Sequence, residues 1–401
     1  MEPKIRLKGF LGDWEGDIIG NIATFSKGRG YSKSDLRQKG NPIILYGRLY
    51  TNYSSIISSV DTFASLQKGS VLSKGNEVII PGSGETPEDI AIASSVEQEG
   101  VILGGDLNIV SFDLEKIVPA FAAMGITYGK THYELSGYAQ GKTVVHLHNS
   151  SISKGHLSYP SKEEQEAIVI FISTIDSLIL STSKKIESLK QVKTASLQSM
   201  FPQEGETTPR VRFKGFDGEW EMKKFDELYE PSSVKNKVYC ADKIISVANM
   251  YFKPVSYISD DDYLKSYNVM CLGDIAFEGN KSKNFAHGRF VENTIGDGIV
   301  SHVFVVLRPK SERYDLQFWK YLINYERIMG PILLRSTKHS TMMTDLVVAD
   351  FLNESILVPS YEEQQKIGAF FEGLDSQITL QTQRLEKLKQ IKSACLDNMF
   401  V

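Results

Sequence analysis

"PSKEEQEAIVIFISTIDSLILSTSKKIESLKQVKTASLQSMF", residues 160 to 201, returns as "PSYEEQQKIGAFFEGLDSQITLQTQRLEKLKQIKSACLDNMF" at 359 to 400, with nineteen of forty-two positions identical. A shorter echo precedes each intervening stretch. PKIRLKGFLGDWE at 3 to 15 and PRVRFKGFDGEWE at 209 to 221 share Pro, Arg, Lys-Gly-Phe, Gly and Trp-Glu at equal spacing. The chain is an internal repeat of the form A-B-A′-B′, with unrelated sequence filling the two A segments.

Each long repeated stretch predicts a helix. Ser161 and Ser360 follow a proline and stand three residues before Glu164 and Glu363, the spacing of a capping box. The first turns are acidic and the later halves carry Lys184, Lys185, Lys190 and Lys193, or Arg384, Lys387, Lys389 and Lys392, as the helix dipole favours. Apolar residues step by four and three through Ile168, Ile172, Ile175, Ile179, Ile186 and Leu189. The second copy repeats the pattern with Ile367, Phe371, Leu374, Ile378, Leu385 and Leu388. Thr182 and Gln381 interrupt both seams at the same place. This is the pattern of a coiled-coil seam, and the simplest partner for one copy is the other; if the two pair antiparallel, the domain attached to each is carried to the opposite end. The competing expectation is that each helix packs only on its own domain.

At 401 residues the chain exceeds a single core, and 41% hydrophobic with 23% charged residues is ordinary globular composition. The N-terminus lacks an apolar signal core, and no stretch is expected to reach the roughly 18 uncharged apolar residues of a membrane span. The expected location is therefore the cytoplasm, with no membrane partner. Cys240, Cys271 and Cys395 are far apart, which fits unpaired thiols in a reducing compartment.

Catalytic signatures are weak. GYAQGKT at 137 to 143 places three residues between its glycines where a phosphate-binding loop needs four. Gly28-Arg29-Gly30 and Gly82-Ser83-Gly84 lack the third glycine of a dinucleotide loop. His146 and His148 share one face of an expected strand but have no third ligand nearby. Asn41-Pro42-Ile43-Ile44 is similar to the Asn-Pro-Pro-aromatic motif of adenine amino-methyltransferases, but lacks its second proline and aromatic residue. No catalytic residue, metal site or cofactor of its own is expected.

The segments 16 to 157 and 222 to 356 read as mixed α/β. Expected strands lie in PIILYGRLY, NEVIIPGSG, NIVSF, KIISVANMYF, DIAFEGN and HVFVVLRP, with helices at 118 to 125 and 315 to 330. Their polar loops, such as SKGRGYSKSDL at 26 to 36 and SSVKNKVY at 232 to 239, mix basic, amide and hydroxyl residues with Tyr and His. This chemistry suits phosphates and base edges and equally suits any solvated loop. A net charge of −4 does not advertise nucleic-acid binding, so a basic face would have to be local.

Together these features resemble the specificity subunits of type I restriction-modification enzymes. The residues carrying the resemblance are Pro160-Ser161, Glu163-Glu164-Gln165, Pro359-Ser360 and Glu362-Glu363-Gln364, then Leu189-Lys190-Gln191, Leu388-Lys389-Gln390 and the Lys-Gly-Phe openings at Lys8 and Lys214.

The resemblance implies an α/β fold class: two mixed α/β target-recognition domains separated by two long helices forming an antiparallel coiled coil, with a pseudo-twofold internal repeat. The expected boundaries are 1 to 157 and 205 to 356 for the domains, and 158 to 204 and 357 to 401 for the helical spacers. It implies a noncatalytic reader of a bipartite asymmetric site on double-stranded DNA. Two methyltransferase subunits would supply S-adenosylmethionine and methylate adenine, and restriction subunits would use ATP and magnesium.

Candidate DNA-binding residues in the first domain are Arg29, Lys33, Arg48, Lys130 and His132, with Gly28, Gly30, Tyr46, Gly84 and Thr86 for backbone approach or stacking. In the second they are Lys281, Lys283, Asn284, His287, Arg289, Arg335, Lys338 and His339. The rival reading is a coiled-coil adaptor whose two domains bind proteins or glycans.

Overall fold

A computed structural model describes residues 2–254, 261–339 and 343–401. The chain divides into two compact units, one of Met1–Thr182 with Gln383–Val401, the other of Ser183–Thr382. The two repeated stretches form helices of equal length, Lys162–Met200 and Tyr361–Met399, and each contributes one half to each unit.

Unit 1 carries two five-stranded sheets. The first is ordered Ala23–Lys27, Leu107–Phe112, Glu77–Pro81, Ser94–Val96, Ile56–Ile57; the second is Leu36–Arg37, Phe63–Ala64, Asn41–Ile44, Glu99–Leu103, Leu72–Lys74. Glu77–Pro81 is buried along its whole length, which suits its run of β-branched residues at the sheet centre. Its core gathers Val78, Val110, Phe121 and Met124 with Ile168 and Ile172 of the first long helix and Leu396, Met399 and Phe400 of the second stretch. Low numbers on one helix meet high numbers on the other, so the halves pair antiparallel here. Asp176 and Lys392 form an ion pair across them.

Unit 2 is built the same way around a four-stranded sheet ordered Tyr229–Ser232, Val306–Pro309, Ile275–Glu278, Arg289–Glu292. Met200 and Phe201 meet Ile367 and Phe371 in its core, again antiparallel. Lys193 binds Asp375 at 2.6 Å; these are the repeat counterparts of Lys392 and Asp176. Every predicted seam residue is buried or half-buried.

The repeated motifs lock helices to domains. Ser161 Oγ and Ser360 Oγ accept from the amides of Glu164 and Glu363, the hydroxyl half of the expected capping box. The two glutamate carboxylates are instead gripped by Arg6 and Arg212 of the Lys-Gly-Phe openings. Gln165 donates to the Lys116 and Pro160 carbonyls and accepts from the Val118 amide; Gln364 donates to the Pro359 carbonyl and accepts from the Asp315 amide. Trp14 and Trp220 are buried in the respective cores.

Three expectations change. The helix read at 315 to 330 is two helices, Leu316–Leu322 and Glu326–Ser336; Asn324 bonds back to the Lys320 carbonyl at the break. KIISVANMYF is a ribbon of Ile245–Ser246 and Tyr251–Phe252, not one strand. The first long helix contains an 18-residue window of mean hydropathy 1.5, long and apolar enough by length and composition to cross a membrane, where the sequence reading expects none; in the fold, its Ile168 and Ile172 face the unit 1 core. All three cysteines are free.

Candidate nucleic-acid interface

In unit 1, Leu107–Phe112 runs antiparallel to both neighbours, and Asn108 pairs with Lys27 on one side and Ile80 on the other. The strands Ala23–Lys27 and Glu77–Pro81 therefore end together, and loops 28–35 and 82–86 leave the same end of the sheet. Backbone contacts hold them tightly. The Gly28 amide donates to the Leu107 carbonyl at 3.0 Å, and a Cβ on Gly28 would run into the Gly104 carbonyl. The Gly105 amide donates to the carbonyl of Gly30, whose φ of +62° is a glycine conformation. Arg29 and Lys33 are exposed on this loop.

Gly84 lies in a short strand paired with Val145–His146, and Thr86 caps Pro87–Ile90 through the Asp89 amide. Tyr50 donates to the Ser83 carbonyl at 2.8 Å, and Tyr46 stands edge-on to Tyr50 at 6.5 Å. Gly28, Arg29, Gly30, Lys33, Tyr46, Gly84 and Thr86 are thus linked around one sheet end. Arg48 is held in an ion pair with Asp61. Lys130 and His132 lie on the helix Lys130–Tyr138, where the Lys130 amide binds the Val401 carbonyl and the His132 ring binds the Ala91 carbonyl.

Unit 2 repeats the arrangement. Val306 pairs with both Ser232 and Ala276, so Tyr229–Ser232 and Ile275–Glu278 run in the same direction, the first ending level with Ala276 and the second two residues further on. Loop 279–288 leaves this end and is tied to the hairpin of Thr337–His339 and Thr344–Leu346. The Thr344 amide binds the Gly279 carbonyl at 2.8 Å, and its hydroxyl donates to the His287 carbonyl at 3.0 Å. Within the loop, Ser282 and Phe285 exchange backbone bonds, making a tight turn with Lys283 and Asn284 exposed at its tip. The Ala286 amide donates to the Glu326 carboxylate; burial pushes that carboxyl up, and this bond draws it back down.

Lys281, Lys283, Asn284, His287 and Lys338 are brought together by this lock. Arg289 starts the neighbouring strand, but its guanidinium is committed to Glu278 at 2.8 Å and the Ala248 carbonyl at 2.6 Å. Arg335 is committed to Glu354 by two bonds. Both fix the scaffold beneath the loops. His339 ends its strand, and its side chain lies outside the described residues.

Loop 233–239 leaves the same end of the unit 2 sheet and brings Lys235, Lys237 and Val238, which the sequence does not single out as site residues. The loop stands out by composition, but only the tertiary structure ties it to 264–269, where the Asn236 amide binds the Tyr267 carbonyl and the Val269 amide binds the Val234 carbonyl. In unit 1 the sequence likewise passes over Lys27, and it weighs His146 and His148 only as metal ligands. The two histidine rings lie parallel, 6.3 Å apart. Among the described residues no group of three or more His, Cys, Asp or Glu gathers as a metal site.

The family described as "Type I restriction modification DNA specificity domain" matches residues 12–191 and 219–390. The chain is 21% identical over 419 residues to the type I restriction enzyme MjaVIII specificity subunit of Methanocaldococcus jannaschii, covering 96% of this chain and 91% of that protein. The fold is similar to a type I restriction-modification system S subunit from M. genitalium, with TM-score 0.57, 16% identity, and coverage of 100% and 99% of the two chains. It is also similar to an HsdS subunit from Thermoanaerobacter tengcongensis, with TM-score 0.50, 14% identity, and coverage of 97% and 96%. Two matched segments, one in each half of the repeat, make this chain a member of the type I restriction modification DNA specificity domain family.

Proposed function

We propose that this chain is the noncatalytic DNA-reading subunit of a type I restriction-modification complex, each unit reading one half of a bipartite, asymmetric site. The observation that carries this reading is the equivalence of the two sheet ends. In both units the second strand after the Lys-Gly-Phe opening runs in the same direction as a central strand and releases a basic loop, with Arg29 and Lys33 on 28–35 and Lys235 and Lys237 on 233–239, and in unit 2 the central strand adds Lys281 and Lys283, although the chain as a whole is acidic. Local cation clusters supply phosphate affinity, and amide, hydroxyl and aromatic side chains beside them supply base discrimination.

In this reading the chain binds no cofactor. Adenine methylation belongs to two methyltransferase subunits carrying S-adenosylmethionine, and cleavage to restriction subunits using ATP and magnesium. The test is expression with a cognate methyltransferase subunit in an unmethylated host, followed by single-molecule mapping of N6-methyladenine. A split motif that vanishes without this chain is the expected result. A stable complex that methylates no defined motif would overturn the recognition role.

A further inference from the structure

We propose that Val238 is a specificity-determining residue that reads a thymine methyl group in the half-site of unit 2; this rests on the DNA-reading function above. Val238 is 82% exposed, on the loop 233–239 that follows Tyr229–Ser232 and is tied to 264–269. A single exposed valine is ordinary. Here the chain around it is rigid and cationic.

The rigidity comes from Asn236, which is 4% exposed inside its own loop. Its amide nitrogen donates to the Tyr239 and Leu264 carbonyls at 2.8 and 3.2 Å. Its oxygen accepts from the Val238 and Tyr239 amides at 3.1 and 2.8 Å, and its backbone amide binds the Tyr267 carbonyl. Both donors and both lone pairs of that side chain are spent on holding the tip. Such preorganisation removes the ordering cost that a flexible loop would meet on binding.

The neighbourhood supplies the rest. Lys237 is exposed beside Val238, and Lys235 donates to the Ser266 carbonyl and to Asn268 Oδ1. Asn268 in turn donates to the Phe304 carbonyl, fixing the turn that carries a second exposed valine, Val303, at 69%. A groove of about 570 Å³ opens at the tip, with Val234, Val238 and Val269 as apolar wall and Lys235 and Lys237 at its rim. The cations match a phosphate backbone. In the major groove the C5-methyl of thymine is the apolar group among the base edges, and it is what an apolar side chain on a cationic tip can tell from cytosine.

The test uses the full chain with its methyltransferase subunits and duplexes carrying the mapped site, with each thymine of the unit 2 half replaced in turn by deoxyuridine. Wild type should lose roughly fourfold in affinity at one position, the size of one buried methyl. V238A should bind the thymine duplex that much more weakly and become indifferent to the methyl at that position, while K237A should weaken all duplexes alike and lower the salt dependence. A V238A protein with wild-type sensitivity to every methyl, or a wild type insensitive throughout that half, would overturn the assignment. Absence of specific binding by wild type to any duplex would sink the DNA-reading function itself, and this inference with it.

Discussion

Arg6 grips Glu164 through two parallel hydrogen bonds, Nε to Oε1 at 2.8 Å and Nη2 to Oε2 at 2.7 Å, while its remaining nitrogen reaches the Gly12 carbonyl. Arg212 holds Glu363 in the same way, at 2.6 and 2.7 Å, with the Gly218 carbonyl as third partner. The Lys-Gly-Phe opening and the Glu-Glu-Gln helix start stand far apart in each repeat, and they are recognisable as motifs because they are the two halves of this clamp. The motif that announces the family is therefore a structural joint.

Removing one partner of such a clamp leaves a buried charge without compensation. Arg6→Ala strands Glu164, which is 2% exposed, and should destabilise unit 1 by about 3 kcal/mol. Arg6→Met combined with Glu164→Gln should recover much of that. Denaturant unfolding of the single and double variants checks both; equal loss in both would show that packing, not the charge, is responsible.

The ion pairs between the helix halves are counterparts but not equals. Asp176 and Lys392 meet at a half-exposed position, where such a pair contributes under about 1 kcal/mol. Asp375 also accepts from Tyr321 at 2.6 Å, and Lys193 lies 5.0 Å over the Tyr321 ring. Burial and the Asp375 hydrogen bond push the Tyr321 hydroxyl well up from its ordinary value. Asp375→Ala should accordingly cost about 1 kcal/mol more than Asp176→Ala, read as faster amide exchange in 361–382 than in 383–399 of the respective variants.

Glu292 is a buried carboxyl held by the Tyr314 hydroxyl at 2.6 Å, with Tyr229 bonded to Tyr314 behind it. Burial pushes it well above its ordinary 4.5; Tyr314 and Lys320 draw it down and Asp315 raises it. A raised folded value means the contribution is fully present below the unfolded value and lost as pH rises through the folded one. Unit 2 should therefore lose thermal stability from about pH 5 upward, and Glu292→Gln should flatten that dependence. A midpoint whose pH profile is unchanged by the substitution would rule this out.

The Ile5 amide binds the Asn398 carbonyl at 3.0 Å in unit 1, and the Val211 amide binds the Ser199 carbonyl at 2.9 Å in unit 2. The second junction is a continuous chain and the first is made by two separate stretches. A permutant opened between Glu204 and Gly205, with a short linker from Val401 to the start, should fold with a melting temperature within a few degrees of the parent. Aggregation of the permutant under conditions where the parent is stable would count against it.

The amino-acid sequence alone discloses the repeat, the two long helices, their starts and their seam, because these depend on local periodicity and on spacing that survives duplication. Ile168 and Ile172 are buried as their spacing announces, but against the unit 1 core as well as the end of the other long helix. The site is legible only in part. Arg29, Lys33, Lys283 and Asn284 stand out by composition and lie on exposed loops, whereas Arg48, Arg289 and Arg335 look alike in sequence and are tied down by Asp61, Glu278 and Glu354.

Whether a guanidinium faces solvent or a carboxylate elsewhere in the chain is set by strand register, which no local pattern encodes. Long-range pairing likewise sets Lys235 against Asn268 and ties the loop of Lys237 and Val238 to 264–269. Repeat and local periodicity specify the scaffold and its family; long-range pairing selects which charged groups remain available at the sheet ends, because it spends the others on Asp61, Glu278 and Glu354.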